Sequence, residues 1–219
     1  MKQAILKEKA AKKALDFVQE GMTLGVGSGS TVRFFIQALA DSGIRPKDIV
    51  AASKDSEEAL ASVGLKVRDL NSCDEVDVYV DGCDEINERF EMIKGGGAAL
   101  TREKIIAAAS AKFVCIADAS KQVSVLGEFA LPVEVIPMAR SYVARQLLAL
   151  GGEPRWREGV VTDNGNWILD VHYLSIVDAP AMEQKINAIA GVVTVGIFAK
   201  ERADVLIVAR ENGVEVIER

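Results

Sequence analysis

Short apolar runs at 22–26, 49–53, 76–80 and 113–117 are each too brief for a helix, and stretches of helical periodicity separate them. A chain that alternates strand and helix brings each strand back in the same direction, so it builds a mostly parallel sheet with helices on its faces. One helix is expected over 3–19, with Ala4, Ala11, Leu15 and Val18 near one face and Gly21 as its stop. A second carries Val32, Phe35, Ile36 and Leu39 and ends near Gly43, and a third runs over 55–63 before Gly64. A further strand is expected over 65–70, and Thr101 reads as the cap of a helix carrying Glu103, Ile105 and Ile106.

From residue 131 the order changes. The run 131–136 reads as strand, and Pro137 opens a helix that continues to Leu150 and stops at Gly151-Gly152. Strand 153–157, a hairpin arm near 167–171, a helix entered by Asp178 and Pro180, and a strand over 192–198 follow. This βαββαβ order is the split unit of a ferredoxin-like α+β sandwich. The tail is a hairpin around Asn212-Gly213 whose first arm, Val205-Leu206-Ile207-Val208, is too apolar for an exposed edge and therefore returns to the first sheet. The expected fold is α/β: a Rossmann-like, mostly parallel sheet domain over 1–130 plus 199–219, with a smaller α+β domain inserted over 131–198.

Composition narrows the function. A formal charge of −6 disfavours a general nucleic-acid binder, and no apolar run reaches the ~18 residues of a membrane span. The N-terminal segment lacks a signal-peptide core, so the expected location is cytoplasmic. Cys73, Cys83 and Cys115 are odd in number and form no C-x-x-C pair, which fits reduced thiols and indicates neither a disulfide framework nor a zinc knuckle. The single histidine, His172, rules out a three-histidine zinc site, so the chemistry should run on carboxylates and lysine without a metal.

Those groups converge in residues 80–104. The run 76–80 ends in Asp81-Gly82-Cys83-Asp84, then Lys94 precedes Gly95-Gly96-Gly97, and Glu103 follows on a helix. Three successive glycines are costly in backbone entropy unless the main chain must come close to something. The carboxyl edge of an open α/β sheet is where ligands sit. A second loop, Gly25-Val26-Gly27-Ser28-Gly29-Ser30-Thr31, joins a strand to a helix and aims amides, hydroxyls and the positive helix end at one spot, as phosphate-binding loops do. Its glycine spacing fits neither the dinucleotide fingerprint nor the Walker pattern.

Taken together, Gly27-Ser28-Gly29-Ser30-Thr31, Asp81-Gly82-Cys83-Asp84-Glu85, Lys94-Gly95-Gly96-Gly97 and Thr101-Arg102-Glu103-Lys104 closely resemble the ribose-5-phosphate isomerase A family. Ala117-Asp118-Ala119-Ser120-Lys121 and Leu131-Pro132-Val133-Glu134-Val135 also match. The resemblance implies cofactor-free interconversion of ribose 5-phosphate and ribulose 5-phosphate in the non-oxidative pentose phosphate pathway, by an oligomer, here expected to be a homodimer. It implies that Glu103 moves a proton between C2 and C1, that Lys94 stands near the developing oxyanion, and that Asp81 and Asp84 bind the sugar hydroxyls and assist ring opening. It further implies that residues 28–31 meet the phosphate end, that Lys121 adds positive charge, and that Gly82, Cys83 and Gly95–Gly97 line the substrate. The family commonly has threonine where Ser28 stands and alanine where Cys83 stands; a hydroxyl is kept at the first, and the second is only slightly enlarged.

The residues support the same chemistry independently, since an enediolate route needs a base, a charge stabiliser and groups that pass a hydroxyl proton. Two alternatives share this kind of sheet. A sugar-phosphate-sensing regulator domain would need a DNA-binding segment, for which the first 20 residues leave no room. A coenzyme A transferase relative would use a glutamate as nucleophile, but the Asp-Gly-x-Asp and Lys-Gly-Gly-Gly pairing favours the isomerase.

Overall fold

A computed structural model describes residues 2–219. In chain order it begins with α1 (Lys2–Lys13), β1 (Thr23–Val26), α2 (Ser30–Ser42), β2 (Asp48–Ala51), α3 (Lys54–Ser62) and β3 (Val76–Asp81). Next come β4 (Glu85–Ile86), β5 (Met92–Ile93), α4 (Leu100–Ala108), β6 (Ser110–Asp118), β7 (Leu131–Val135), α5 (Arg140–Ala149) and β8 (Glu153–Trp156). The remainder is β9 (Trp167–His172), α6 (Ala179–Asn187), β10 (Val192–Val195), β11 (Ile197–Phe198), β12 (Val205–Arg210) and β13 (Gly213–Glu218).

The chain forms two compact units. The first comprises Met1–Gly82, Arg102–Lys121 and Ala203–Arg219; the second comprises Cys83–Thr101 and Gln122–Arg202. The second is therefore more extensive than the expected insertion at 131–198. The physical reason lies in strand pairing: β5 pairs antiparallel with both β4 and β11, which draws the 83–101 segment to the inserted residues.

The first unit holds a six-stranded sheet in the order β13-β12-β6-β3-β1-β2. Every pair is parallel except β12 with β13, so the expected return of the tail to this sheet is what the structure shows. Alternate residues point to opposite faces. Leu24, Val26, Val78, Val80, Val114, Ile116, Val205 and Ile207 share one core with Ala10, Ala11, Phe35, Leu39 and Leu60 of α1, α2 and α3. Burying each such Val- or Leu-sized side chain stabilises the fold by about 1.5–3 kcal/mol. Helix α4 lies against the opposite face at Gly25, where an added Cβ would stand 2.7 Å from Ile106 Cγ2 and 3.0 Å from Tyr79 Cδ2.

The second unit contains a four-stranded antiparallel sheet in the order β10-β7-β9-β8, the ferredoxin-like arrangement, and a small sheet β11-β5-β4. Its core gathers Leu131, Val133, Val135, Leu169 and Val171 with Val143 and Leu147 of α5 and Ile186 of α6.

Local expectations needed correcting in four places. The first helix ends at Lys13 and tightens into a 3-10 turn over Ala14–Phe17. Residues 65–69 form no strand: the Arg68 amide donates to the Ile49 carbonyl at 2.8 Å, and a 3-10 turn follows at Leu70–Ser72. The run 192–198 breaks at Gly196, whose amide donates to Pro132 O at 2.7 Å and whose carbonyl accepts from Lys94 N at 2.9 Å, so β10 and β11 belong to different sheets. Thr101 lies inside α4 instead of capping it, and its hydroxyl donates to Glu134 Oε2 at 2.5 Å.

Candidate active site

In the first unit, β1 leads through α2 to β2 on one side, while β3 lies on the other side and leads on towards β6. The strand order therefore reverses between β1 and β3, and their carboxyl ends are a topological switch point. Gly27 follows β1 there, and Asp81 ends β3. Asp81 is fully buried. Its Oδ1 accepts from the amides of Ser28 (3.1 Å) and Gly82 (2.7 Å), and its Oδ2 accepts from the Tyr79 hydroxyl. A side chain at position 27 would overlap the Asp81 carboxylate, so glycine is required for this approach.

The same glycine loop starts α2. Gly29 is the N-cap at φ 103° and, as a glycine, supplies no side-chain hydrogen bond to the helix amides. Ser28 Oγ lies 3.0 Å from Ser53 Oγ, and Ser56 Oγ donates to Gly27 O at 2.6 Å, so a run of serines fixes the loop from the start of α3. Lys7 Nζ donates to Ser30 Oγ at 2.9 Å, which sets a cation at the helix's positive end, beside Thr31. Gln3 and Lys7 stand four residues apart on α1, hence on one face, and Gln3 Nε2 reaches Asp118 Oδ2 at 3.4 Å. Asp118 also accepts from the amide (3.0 Å) and hydroxyl (2.5 Å) of Ser120. Burial pushes its carboxyl up, but the Ser120 and Gln3 hydrogen bonds and the Lys121 charge outweigh this and hold it below the usual value. Asp118 thereby shapes the turn Ala119–Lys121 that presents Lys121 after β6.

Glu103 lies on α4 with 4% of its surface exposed. It sits within electrostatic reach of Tyr79: burial first, then the Asp81 and Glu103 carboxylates, raise the Tyr79 phenol well above its usual range. Tyr79 therefore remains a neutral donor, with both carboxylates around it.

The second unit carries Cys83, Asp84, Lys94 and the glycine run. The Asp84 amide donates to Ile93 O at 2.8 Å, and its Oδ2 accepts from Gly96 N at 2.8 Å. A Cβ at Gly96 would stand 2.7 Å from Asp84 Oδ1. Lys94 is 2% exposed, and its ammonium lies 5.4 Å from the centre of the Phe198 ring. The carboxylate of Glu85, next to Asp84, accepts from the amides of Gly127 and Phe129.

Three residues around these groups escape sequence reading, Tyr79, Lys7 and Arg157, while Glu134 enters it only within a matching motif and without a role. Tyr79 sits within an apolar run, and Lys7 looks like one of several solvent lysines on α1. Arg157 donates to the carbonyls of Gly95 and Gly96, and the buried Glu134 accepts from Thr101, Thr162, Asn164 and Asn166. These contacts span from 28 to 62 residues of sequence, beyond any local pattern; the i, i+4 step from Gln3 to Lys7 is the one usable signal.

A parallel sheet with a buried carboxylate and a glycine loop at its switch point, and with Lys7 of α1 hydrogen-bonded at the start of α2, is the α/β enzyme arrangement in which ligands sit at the carboxyl edge of the sheet. The comparisons are more specific. Ribose 5-phosphate isomerase A (phosphoriboisomerase A) is the family whose model matches residues 48–213. A ribose-5-phosphate isomerase A from Dichelobacter nodosus is 61% identical over 213 residues, covering 97% of this chain and 98% of its own. The crystal structure of the Neisseria gonorrhoeae ribose 5-phosphate isomerase A is 52% identical and superposes with a TM-score of 0.97, covering 99% of this chain and 97% of that one. A D-ribose-5-phosphate isomerase solved in complex with phospho-erythronic acid is 36% identical with a TM-score of 0.95, over the whole of both chains. The chain belongs to the ribose-5-phosphate isomerase A family, and its fold and isomerase class follow from that membership. The regulator and coenzyme A transferase readings find no support in these relatives.

Proposed function

We propose that Glu103, Lys94, Asp81 and Asp84 carry the interconversion of D-ribose 5-phosphate and D-ribulose 5-phosphate through an enediolate, a step of the non-oxidative pentose phosphate pathway. Glu103 takes the proton from C2 of the open-chain aldose and returns it to C1. Between those steps the hydroxyl proton passes from O2 to O1, and Lys94 stabilises the negative oxygen. Asp81 and Asp84 hold the sugar hydroxyls and assist ring opening. Ser28, Gly29, Ser30 and Thr31, with Lys7 and Lys121, grip the phosphate far from the reacting carbons, where binding energy can be used to orient C1 and C2. The relative solved with phospho-erythronic acid supports a phosphorylated sugar-like ligand.

The observation that carries this reading is the burial of Glu103 on α4, beside the Tyr79–Asp81 pair at the switch point. A carboxylate removed from water is a stronger base than one in solvent. The test is incubation with ribose 5-phosphate and no additive. The parent chain should form ketose, and Glu103→Gln should do so about 10²–10⁴ times more slowly at similar KM. Near-normal turnover by that variant would place the base elsewhere.

The same reading makes the protein a cytoplasmic homodimer. Free Cys73, Cys83 and Cys115 fit a reducing compartment, and oligomers are the habit that the family resemblance implies. Sedimentation of the purified chain tests the assembly.

A further inference from the structure

The loop Lys94-Gly95-Gly96-Gly97 poses a mechanical difficulty. Glycines lose more backbone freedom on ordering than any other residue, and they offer no side chain by which to be held. Only their amides and carbonyls can fix them. The Gly96 amide is bound to Asp84 Oδ2, and Gly95 O accepts from Ala98 N at 2.9 Å. The Lys94 amide donates to Gly196 O at 2.9 Å, and the carbonyls of Gly95 and Gly96 are further held by a side chain, Arg157, which follows β8.

Its guanidinium uses all three nitrogens. Nη1 donates to Gly95 O at 3.1 Å and to Gly96 O at 3.0 Å. Nε and Nη2 donate to Asp170 Oδ2 (2.8 Å) and Oδ1 (2.5 Å) on β9. Both side chains are largely shielded, 19% and 20% exposed, so the pair is a bidentate fork held against a rigid strand. We propose that Arg157, fixed by Asp170, is a positioning residue for the isomerisation: by clamping two successive glycine carbonyls it sets the Gly96 amide on Asp84 and the place of Lys94. It rests on the assignment of Lys94 and Asp84 to the reaction. The arrangement requires arginine, because a lysine ammonium cannot span a carboxylate and two carbonyls from one nitrogen. The neighbouring Arg155 differs: it is exposed and pairs with Glu153 on its own strand.

Arg157→Ala should lower kcat by about 10- to 100-fold while KM for ribose 5-phosphate stays within about threefold, the signature of misplaced reacting groups with the phosphate grip intact. Free guanidinium ion should restore part of that kcat, and sodium chloride at equal ionic strength should not. Arg157→Lys should remain impaired, Asp170→Asn should show a smaller loss of the same kind, and Arg155→Ala should match the parent. Hydrogen exchange of the 94–98 amides should rise in Arg157→Ala and Asp170→Asn. If Arg157→Ala does not fold, the Asp170→Asn kinetics and exchange decide the matter. Unchanged kcat, or a loss confined to thermal stability with no guanidinium rescue, would overturn the clamp. Lys94→Ala and Asp84→Asn, run in parallel, separate the two failures. If those variants keep full activity, the site assignment falls and the clamp with it. If they lose activity while the Arg157 and Asp170 variants do not, the clamp alone falls.

Discussion

The Tyr79 hydroxyl donates to Asp81 Oδ2 from the same strand, while Oδ1 of that carboxylate takes the Ser28 and Gly82 amides, so three donors fix Asp81 in one orientation at the end of β3. Tyr79 is fully buried and lies tilted against Phe113, their ring centres 4.7 Å apart. A residue of the sheet core thus reaches the proposed chemistry through its one polar atom.

Tyr79→Phe keeps the ring and removes that donor. At neutral pH it should cost about 1.5–3 kcal/mol, as expected for a hydrogen bond to a charged acceptor, and turnover should fall as Asp81 gains freedom. The alkaline limb runs the other way. The native phenol is raised above its unfolded value, so the stability it contributes is complete below about pH 10 and is lost as pH rises through the native pKa. Denaturant melts of the parent should therefore fall by an extra ~1.4 kcal/mol per pH unit above pH 10, relative to Tyr79→Phe. Parallel pH–stability curves for the two would show that Tyr79 does not titrate as placed.

Gly27→Ala should be harmful without touching any charge. The new methyl would overlap the Asp81 carboxylate, and an overpacked site of this kind costs about 1–3 kcal/mol. Because the group displaced is Asp81, turnover should drop further than stability does. Kinetics on folded protein at low temperature separate the two, and full kcat there would show that Asp81 can move without consequence.

The phosphate grip should be selective. Lys7→Ala, Ser30→Ala and Thr31→Ala should each raise KM for ribose 5-phosphate and change the slow turnover of unphosphorylated ribose little, since Lys7 and Ser30 meet at the start of α2, remote from Glu103 in sequence. Losses of equal size on both sugars would show that no phosphate is held there.

Much of this was legible in the sequence where periodicity governs. The parallel strands, the βαββαβ insertion and the returning tail are written in apolar runs and glycine stops, and the loops at 27–31, 81–84 and 94–97 in residue types that few structural roles require. The misreadings have physical causes. Leu65 and Val67 alternate like a strand, yet Leu65 serves the core and the segment runs past β2 with a hydrogen bond from Arg68 to Ile49. The run 192–198 is apolar apart from Thr194 and Gly196, and the contacts of Gly196 with Lys94 and Pro132 show that it divides between two sheets. Arg157 and the contacts of Glu134 were hidden for a similar reason: their partners are backbone carbonyls, hydroxyls, side-chain amides and the Asp170 carboxylate, brought close by β7, β8 and β9, and no local motif encodes such pairings.

Isomerisation in heavy water, with no cofactor added, tests the central claim that Glu103 moves a proton between adjacent carbons. Ribulose 5-phosphate formed from ribose 5-phosphate should carry deuterium at C1, because a base that exchanges with solvent during the enediolate's lifetime returns a deuteron. Glu103→Gln should lose this exchange together with net turnover. Complete retention of the original hydrogen over many reversible turnovers, or undiminished deuterium entry in Glu103→Gln, would contradict it.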